Sequence, residues 1–453
     1  MSTTVLSAIR PAPVKTAAER ALSEAFSNAS AALPGTGWVS AVRADAMRRL
    51  EASGLPTRRV EAFKYTDLRE RIKEAFGPAV APSRVDNEAI EAALGELADL
   101  DAVRIVLVDG VYCAELSCLE GLGDEVEQMP LGPLLRKAPS WLEGKFAAGR
   151  FPEETALTAL NTAFMSDGLL IKVKPGQRGA KPVLIVSVAA GAEASTTALR
   201  HVVAMEAGSA MTLIEAFVAL PGASTKGIVS AITDVTVADG ADLTHVKCVF
   251  DKASAAHLGG WVVKLGANAR YRGFQLTAGP KLVRNDIGVE MEGEGSKLDI
   301  SGAFLGRDTN HIDTTLVVDH KVPGCESREL FKGVLADRAR GVFQGKIIVR
   351  PGADRTDGKQ MARVLLLSDD AEFDSKPELE IYADDVACGH GATAAALDDD
   401  LMFYCRSRGI PEAQARVLLI EAFIGDAVEK LEDDAVREAL MQVARLWLAG
   451  GGS

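Results

Sequence analysis

The chain has few aromatic residues, 5% of its 453 positions, and none of them accompanies a cluster of carboxylates or basic side chains. That argues against a sugar-processing enzyme, which needs paired carboxylates in an open groove. It has no surplus of positive charge either. Fifty Lys and Arg against 63 Asp and Glu leave a net charge of −13, the wrong sign for a nucleic-acid backbone. The six cysteines, Cys113, Cys118, Cys248, Cys325, Cys388 and Cys405, make neither a CxxC pair nor a dense framework. Reduced thiols are therefore expected. No run reaches the roughly 18 uncharged apolar residues that span a bilayer. The first thirty residues, with Glu19 and Glu24 among them, lack the basic start and apolar stretch of a signal peptide. The expectation is a cytoplasmic protein that touches neither membrane nor nucleic acid. The chain also lacks GxxxxGK[ST], a GxGxxG between strand and helix, HExxH and GxSxG. A nucleotide held by a P-loop and the common zinc and serine hydrolase chemistries are thereby excluded.

What is present divides into four stretches. Residues 1–100 read as a helical region. An Ala-rich segment over 16–33 stops at Pro34-Gly35, and a second, from Trp38 to Ala52, stops at Gly54-Leu55-Pro56; Gly followed by Pro is a helix-stop signal. A further helix is expected over 86–98. Residues 101–167 are mixed, with a strand at Val103–Val108 that turns at Asp109-Gly110.

From 168 to 395 short runs alternate in the strand period, among them Leu169–Val173, Val183–Val188, Leu243–Phe250 and Ile312–Val318. Similar glycine-containing turns separate them, at Gly208, Gly240, Gly266 and Gly293, which are 26 to 32 residues apart. That recurrence suits a β-solenoid, whose coils bury an inner face only by stacking. An ordinary β-sandwich also accommodates it. A left-handed hexapeptide helix is disfavoured, because no six-residue repeat is visible.

Residues 396–453 return to helical spacing. Leu418, Leu419 and Phe423 share one face, and Val436, Leu440 and Trp447 another. Two such helices serve either as an end cap for a solenoid or as a docking surface for another protein.

One constellation stands out chemically: Asp384-Asp385-Val386-Ala387-Cys388-Gly389-His390-Gly391-Ala392-Thr393. On a strand, Cys388 and His390 point the same way and offer a thiolate beside an imidazole, a pair suited to iron or zinc. Two ligands do not close a site, so others must come from elsewhere. Val386 shares their face, which points inward, and Gly389 and Gly391 would permit a bulge that re-aims His390. His311 and Asp313, with His320 following, read as a hydrogen-bonded row on an outer face. His201, His245 and His257 read as structural.

Several strings together resemble one family. They are Val342-Phe343-Gln344-Gly345-Lys346, Ala353-Asp354-Arg355-Thr356-Asp357-Gly358-Lys359-Gln360, the Asp384–Thr393 segment and Phe403-Tyr404-Cys405-Arg406-Ser407-Arg408-Gly409. They resemble the shared C-terminal signature of the SufB/SufD family of iron–sulfur cluster assembly scaffolds. Gly54-Leu55-Pro56-Thr57-Arg58-Arg59 through Phe63-Lys64-Tyr65-Thr66 resembles the entry motif of its SufD branch, with Phe63 where Trp is commoner. The Cys-x-His-Gly-Ala-Thr string at 388–393 is also of the SufD type.

The resemblance implies a mainly β protein, a right-handed parallel β-helix flanked by N- and C-terminal helical domains. It implies a non-catalytic scaffold that pairs with SufB, with a nascent Fe–S cluster at their interface. His390 would be a ligand there, with Cys388 nearby in a less certain role. The ABC-type ATPase SufC would dock on the C-terminal helices, where Leu418, Leu419, Phe423, Val436, Leu440 and Trp447 are the candidates. The family's complex is also associated with reduced flavin (FADH2), and whether it joins this one is left open, with no nucleotide expected on this chain. The alternatives are a SufB-like scaffold acting without SufD, or a stand-alone β-helix carbohydrate enzyme.

Overall fold

A computed structural model describes residues 15–79, 82–143, 156–252 and 254–450. Its centre is a flattened solenoid of two sheets. Among the described residues, the strands from Leu169–Val173 to Val386–Ala395 alternate between the sheets, two to a coil, for eight coils. Neighbouring coils pair in parallel. Ala256 lies opposite Leu282, 26 residues on, and Thr196 opposite Ile228, 32 on. Parallel pairing at that spacing is the mark of a solenoid and excludes the antiparallel hairpins of a sandwich.

The first sheet begins earlier than the strand-rich stretch of sequence suggests. Val103–Val108 joins it in parallel beside Val183–Ala189, and the short strand Val111–Tyr112 turns back against its other edge. The second sheet is closed at that end by Val126–Pro130, antiparallel to Leu169–Val173.

The turns hold the coils in register. Gly208, Gly240 and Gly295 take left-handed φ of 67° to 70°, and Asn268 fills the same position at 53°. These are conformations that Gly and Asn adopt with least strain. Each turn also bonds the next: Gly208 N–H donates to Asp239 O, Gly240 N–H to Ala267 O and Asn268 N–H to Glu294 O, all within 2.9 Å. Backbone groups that a surface loop would leave to water are thus satisfied by the stack.

Three apolar layers follow from the strand alternation. The inner one runs between the sheets, through Ile185, Leu213 and Leu243 of the first and Leu199, Val235 and Trp261 of the second. The outer face of the second sheet, with Ala198, Ile228, Leu258 and Leu282, is covered by the N-terminal helices Ala17–Ala29 and Trp38–Ser53 and by Ala156–Phe164. The outer face of the first sheet, with Ile214, Val246, Phe274 and Leu305, is covered by the helix Asn87–Leu94 and by the two C-terminal helices, Glu412–Val428 and Asp434–Ala449. The C-terminal helices therefore line a flank of the solenoid, and the end-cap expectation is corrected. Among the described residues, no helix is long and apolar enough to cross a membrane.

Candidate functional site

Among the described residues, the solenoid stops on two strands with no further strand paired beyond them, Glu372–Ile381 in the second sheet and Val386–Ala395 in the first. Earlier coils are mostly buried, whereas every residue of these two strands is half-buried or exposed. The two edges differ. Glu372–Ile381 carries Glu372, Asp374, Lys376, Glu378, Glu380 and Pro377, the residues by which sheet edges are guarded against pairing. Val386–Ala395 carries no Asp, Glu, Lys, Arg or Pro along ten residues.

Cys388 and His390 sit in that unguarded strand. Its register with Thr356–Leu366 is unbroken from Val386 to Ala395, so the bulge that the glycines would permit does not form. Val386, Cys388 and His390 therefore keep the inward face that alternation assigns them. Val386 and Cys388 pack on Ile347, Val349 and Ala353, while His390 stays exposed at the mouth of the interior. Burial pushes the Cys388 thiol above its ordinary value, an effect that the Gly358 backbone N–H and Lys359 only partly offset. Cys388 is consequently a poorer thiolate than a surface cysteine. Among the described residues, no three His, Cys, Asp or Glu side chains gather as a metal cluster, and all six cysteines are free.

His201, His245, His257 and His311 lie where the sequence reading placed them. His320, read with His311 as part of an outer row, instead shares the inward parity of Leu316 and Val318 and meets Ser327 at 3.1 Å. His311 and Asp313 face outward, where Thr66 of the entry segment accepts from His311 Nε2 at 2.8 Å and donates to Asp313. Burial, with Arg71, Arg340 and Arg284 nearby, holds the His311 ring down to about 2 and thus neutral. His201, His245 and His257 are fully buried.

His245 belongs to an interior network that the sequence reading missed. Glu215 accepts from Thr233 at 2.6 Å and meets His245 Nε2 at 2.7 Å, and His245 Nδ1 meets the Tyr271 hydroxyl at 2.8 Å. Lys247 stands 4.0 Å from the same carboxylate. Burial alone would raise Glu215, but Lys247 and the His245 bond outweigh it and hold the carboxyl well below the usual range. The available signal was an acidic residue on the core parity of a strand, Leu213, Glu215, Phe217.

The proposed docking residues separate. Val436 and Leu440, each 1% exposed, and the partly buried Trp447 and Phe423 pack against the first sheet. Lys332 bonds Phe423 O at 2.7 Å and lies 4.4 Å over its ring. Leu419 is half-buried and Leu418 is exposed. The large apolar side chains exposed on the C-terminal helices are instead Leu401, Phe403 and Tyr404 of the helix Asp399–Ser407, together with Leu418 and Leu446, and Phe403 is 73% exposed.

Two parallel sheets wound as a solenoid, walled by helices on both flanks and with the last coil unpaired among the described residues, define a class of β-solenoid protein. The comparisons make this specific. Residues 187–423 match the family described as "SUF system FeS cluster assembly, SufBD core domain", and residues 19–185 match "SufBD protein N-terminal region". The chain belongs to the SufBD family of the SUF iron–sulfur cluster assembly system, as a SufD-type member. It is 33% identical to the iron–sulfur cluster assembly protein SufD of Escherichia coli, over 89% of this chain and 92% of that one. It is 26% identical to an iron–sulfur cluster assembly SufBD family protein of Synechocystis, over 86% of each. With SufD of Bacillus subtilis it shares 29% identity, over 64% of this chain and 66% of that one.

Proposed function

We propose that this chain is a non-catalytic scaffold subunit that pairs through the open end of its solenoid with a SufB-type homologue. A nascent Fe–S cluster forms at the joint as cargo. His390 is the ligand contributed from this side, and Cys388 is a neighbour held mainly by packing. The observation that carries the reading is the unguarded last strand. An edge of ten residues without charge or proline invites strand addition unless a partner covers it, and it presents the imidazole at the mouth of the coil. The open end of a homologous solenoid, turned end to end about a two-fold axis, offers a matching edge for antiparallel pairing. The remaining cluster ligands then come from the partner, which removes the shortfall of a two-ligand site.

The experiment is gel filtration of this chain with SufB and SufC, singly and together. Co-elution with SufB is expected, and weakening it by Ala392→Pro, which removes a backbone donor from the open side of the last strand, would locate the joint. A chain that elutes alone under all mixtures ends the proposal. Cytoplasmic action follows from the same reading.

The ATPase SufC is assigned to the exposed patch of Leu401, Phe403, Tyr404 and Leu418. Aromatic residues of this kind dominate interface energetics. Phe403→Asp should weaken SufC binding by at least about tenfold, in line with a hot-spot loss of roughly 2 kcal/mol, with no change in melting temperature. Val436→Ala, in contrast, should lower the melting temperature. Unaltered SufC affinity in Phe403→Asp would move the docking site elsewhere.

A further inference from the structure

Two polar side chains in the coils beneath His390 are buried without partners. Gln360 is paired with His390 across one coil, and Glu329 with Gln360 across the next. Gln360 is 3% exposed and Glu329 2%. Both point inward, on the parity of Phe331 and Ala362 in the core. Neither amide atom of Gln360 and neither oxygen of Glu329 has a hydrogen-bond partner of normal geometry. Native interiors partner nearly all such groups, and a bare one is destabilising. Deeper in the same column stand Ile300 and then Gly273 before His245, so two positions without polar side chains separate this pair from the interior network around Glu215.

The opposite sheet is shaped around the amide. A Cβ placed on Gly345 would lie 2.2 Å from Gln360 Nε2 and 2.3 Å from Oε1. Gly345 leaves the amide its present place, and a side chain there would turn it aside. Glu329 adds direction. Burial pushes its carboxyl up to about 8, with Asp299 raising it further and Ser327 and Arg328 lowering it. Protonated or not, it keeps an acceptor oxygen that favours the NH2 end of the amide. The carbonyl end of Gln360 is then the one turned toward His390.

We propose that Gln360 is the positioning residue of His390. In the assembled complex its Oε1 accepts the N–H of the ring nitrogen that does not face the cluster, and its Nε2 donates to Glu329. This rests on the reading of His390 as a cluster ligand. A metal-bound imidazole nearly always donates its second N–H to a carboxylate, a carbonyl or water, which fixes tautomer and ring orientation. In the isolated chain His390 is exposed and water serves. Once a partner covers the open end, the acceptor has to come from below, and Gln360 is the side chain in register there.

The test uses the complete complex and compares Gln360→Leu, Gln360→Glu and His390→Ala, each scored for melting temperature and for cluster formation. In the isolated chain Gln360→Leu removes two unpartnered atoms from the interior, so the melting temperature measured there should hold or rise. Cluster formation should nevertheless fall about 10- to 100-fold. Gln360→Glu retains an acceptor, and cluster formation should stay near wild type. Wild-type cluster formation by Gln360→Leu overturns the proposal, as does a loss that merely parallels a drop in melting temperature, or a Gln360→Glu complex as defective as the Leu variant. His390→Ala judges the underlying reading separately. If it too assembles clusters normally, the ligand assignment fails. If it loses them while Gln360→Leu does not, the ligand stands and the positioning role alone is refuted.

Discussion

His390→Ala should leave the chain folded and able to join its partners while cluster assembly drops by more than about tenfold. Outer-shell partners of a metal-bound histidine already cost that much when lost, and a ligand costs at least as much. The reason to expect an intact fold is position. His390 lies exposed on the last strand, with no coil above it. The substitution removes a donor without removing charge at neutral pH, since a coordinating imidazole is neutral. A structural histidine would behave differently, losing roughly 1–3 kcal/mol through polar groups left unpaired, with melting temperature and assembly falling together. Cys388→Ala supplies the comparison. Its side chain packs on Ile347, Val349 and Ala353, so the expected change is a small loss of stability and a milder effect on assembly. Normal cluster formation by a stable His390→Ala protein would remove the principal site.

The largest effect on stability is expected at Arg284. Its side chain is fully buried beneath the entry segment, bonded to Asp286 at 2.7 Å and to Asp313 at 2.6 Å, and it lies 4.5 Å under the Phe63 ring. Asp313 in turn receives the Thr66 hydroxyl. Burial disfavours the charged guanidinium, but the two carboxylates outweigh it and raise its affinity for the proton. Arg284→Met keeps much of the volume and takes the cationic partner from both carboxylates, and breaking a buried pair in this way costs about 3–5 kcal/mol. Urea unfolding should show that loss as a lower midpoint. Because the same residues clamp Phe63 and Thr66 onto the second sheet, proteolysis near residues 54–66 should become faster in the variant. A change within about 0.5 kcal/mol, the range of an ordinary surface substitution, would mean that the clamp does not hold the segment.

The strand alternation and the turn spacing were enough to place Leu169–Val173 and Val103–Val108 residue for residue, because both signals are local. The helix stops at Pro34-Gly35 and Gly54 likewise bracket helices that end at Ala29 and Ser53. Two turn positions were read less well. In the turn after Leu265, the residue in left-handed backbone is Asn268. Gly266 is needed for a different reason: a Cβ there would meet Asp239 Oδ1 of the adjoining turn at 2.4 Å. That requirement comes from the stack and leaves no local trace.

By itself the sequence determined the class of elements, their order and the placing of Cys388 and His390 on one face of one strand. Each of these depends on residues within a few positions of one another. Three matters were decided only by tertiary structure. The first is which amphipathic face is free: Val436 and Leu440 have the same helical spacing whether they meet a partner or their own solenoid, and the chain turned them onto the first sheet. The second is the orientation of His390. It depended on whether Gly389 and Gly391 bulge, and pairing with ten consecutive residues of the strand below kept them flat. The third is the column Glu329, Gln360, His390. Its members are 31 and 30 residues apart in sequence and become neighbours through the lengths of two coils. Register between coils is set by how whole turns stack, and no local pattern encodes it.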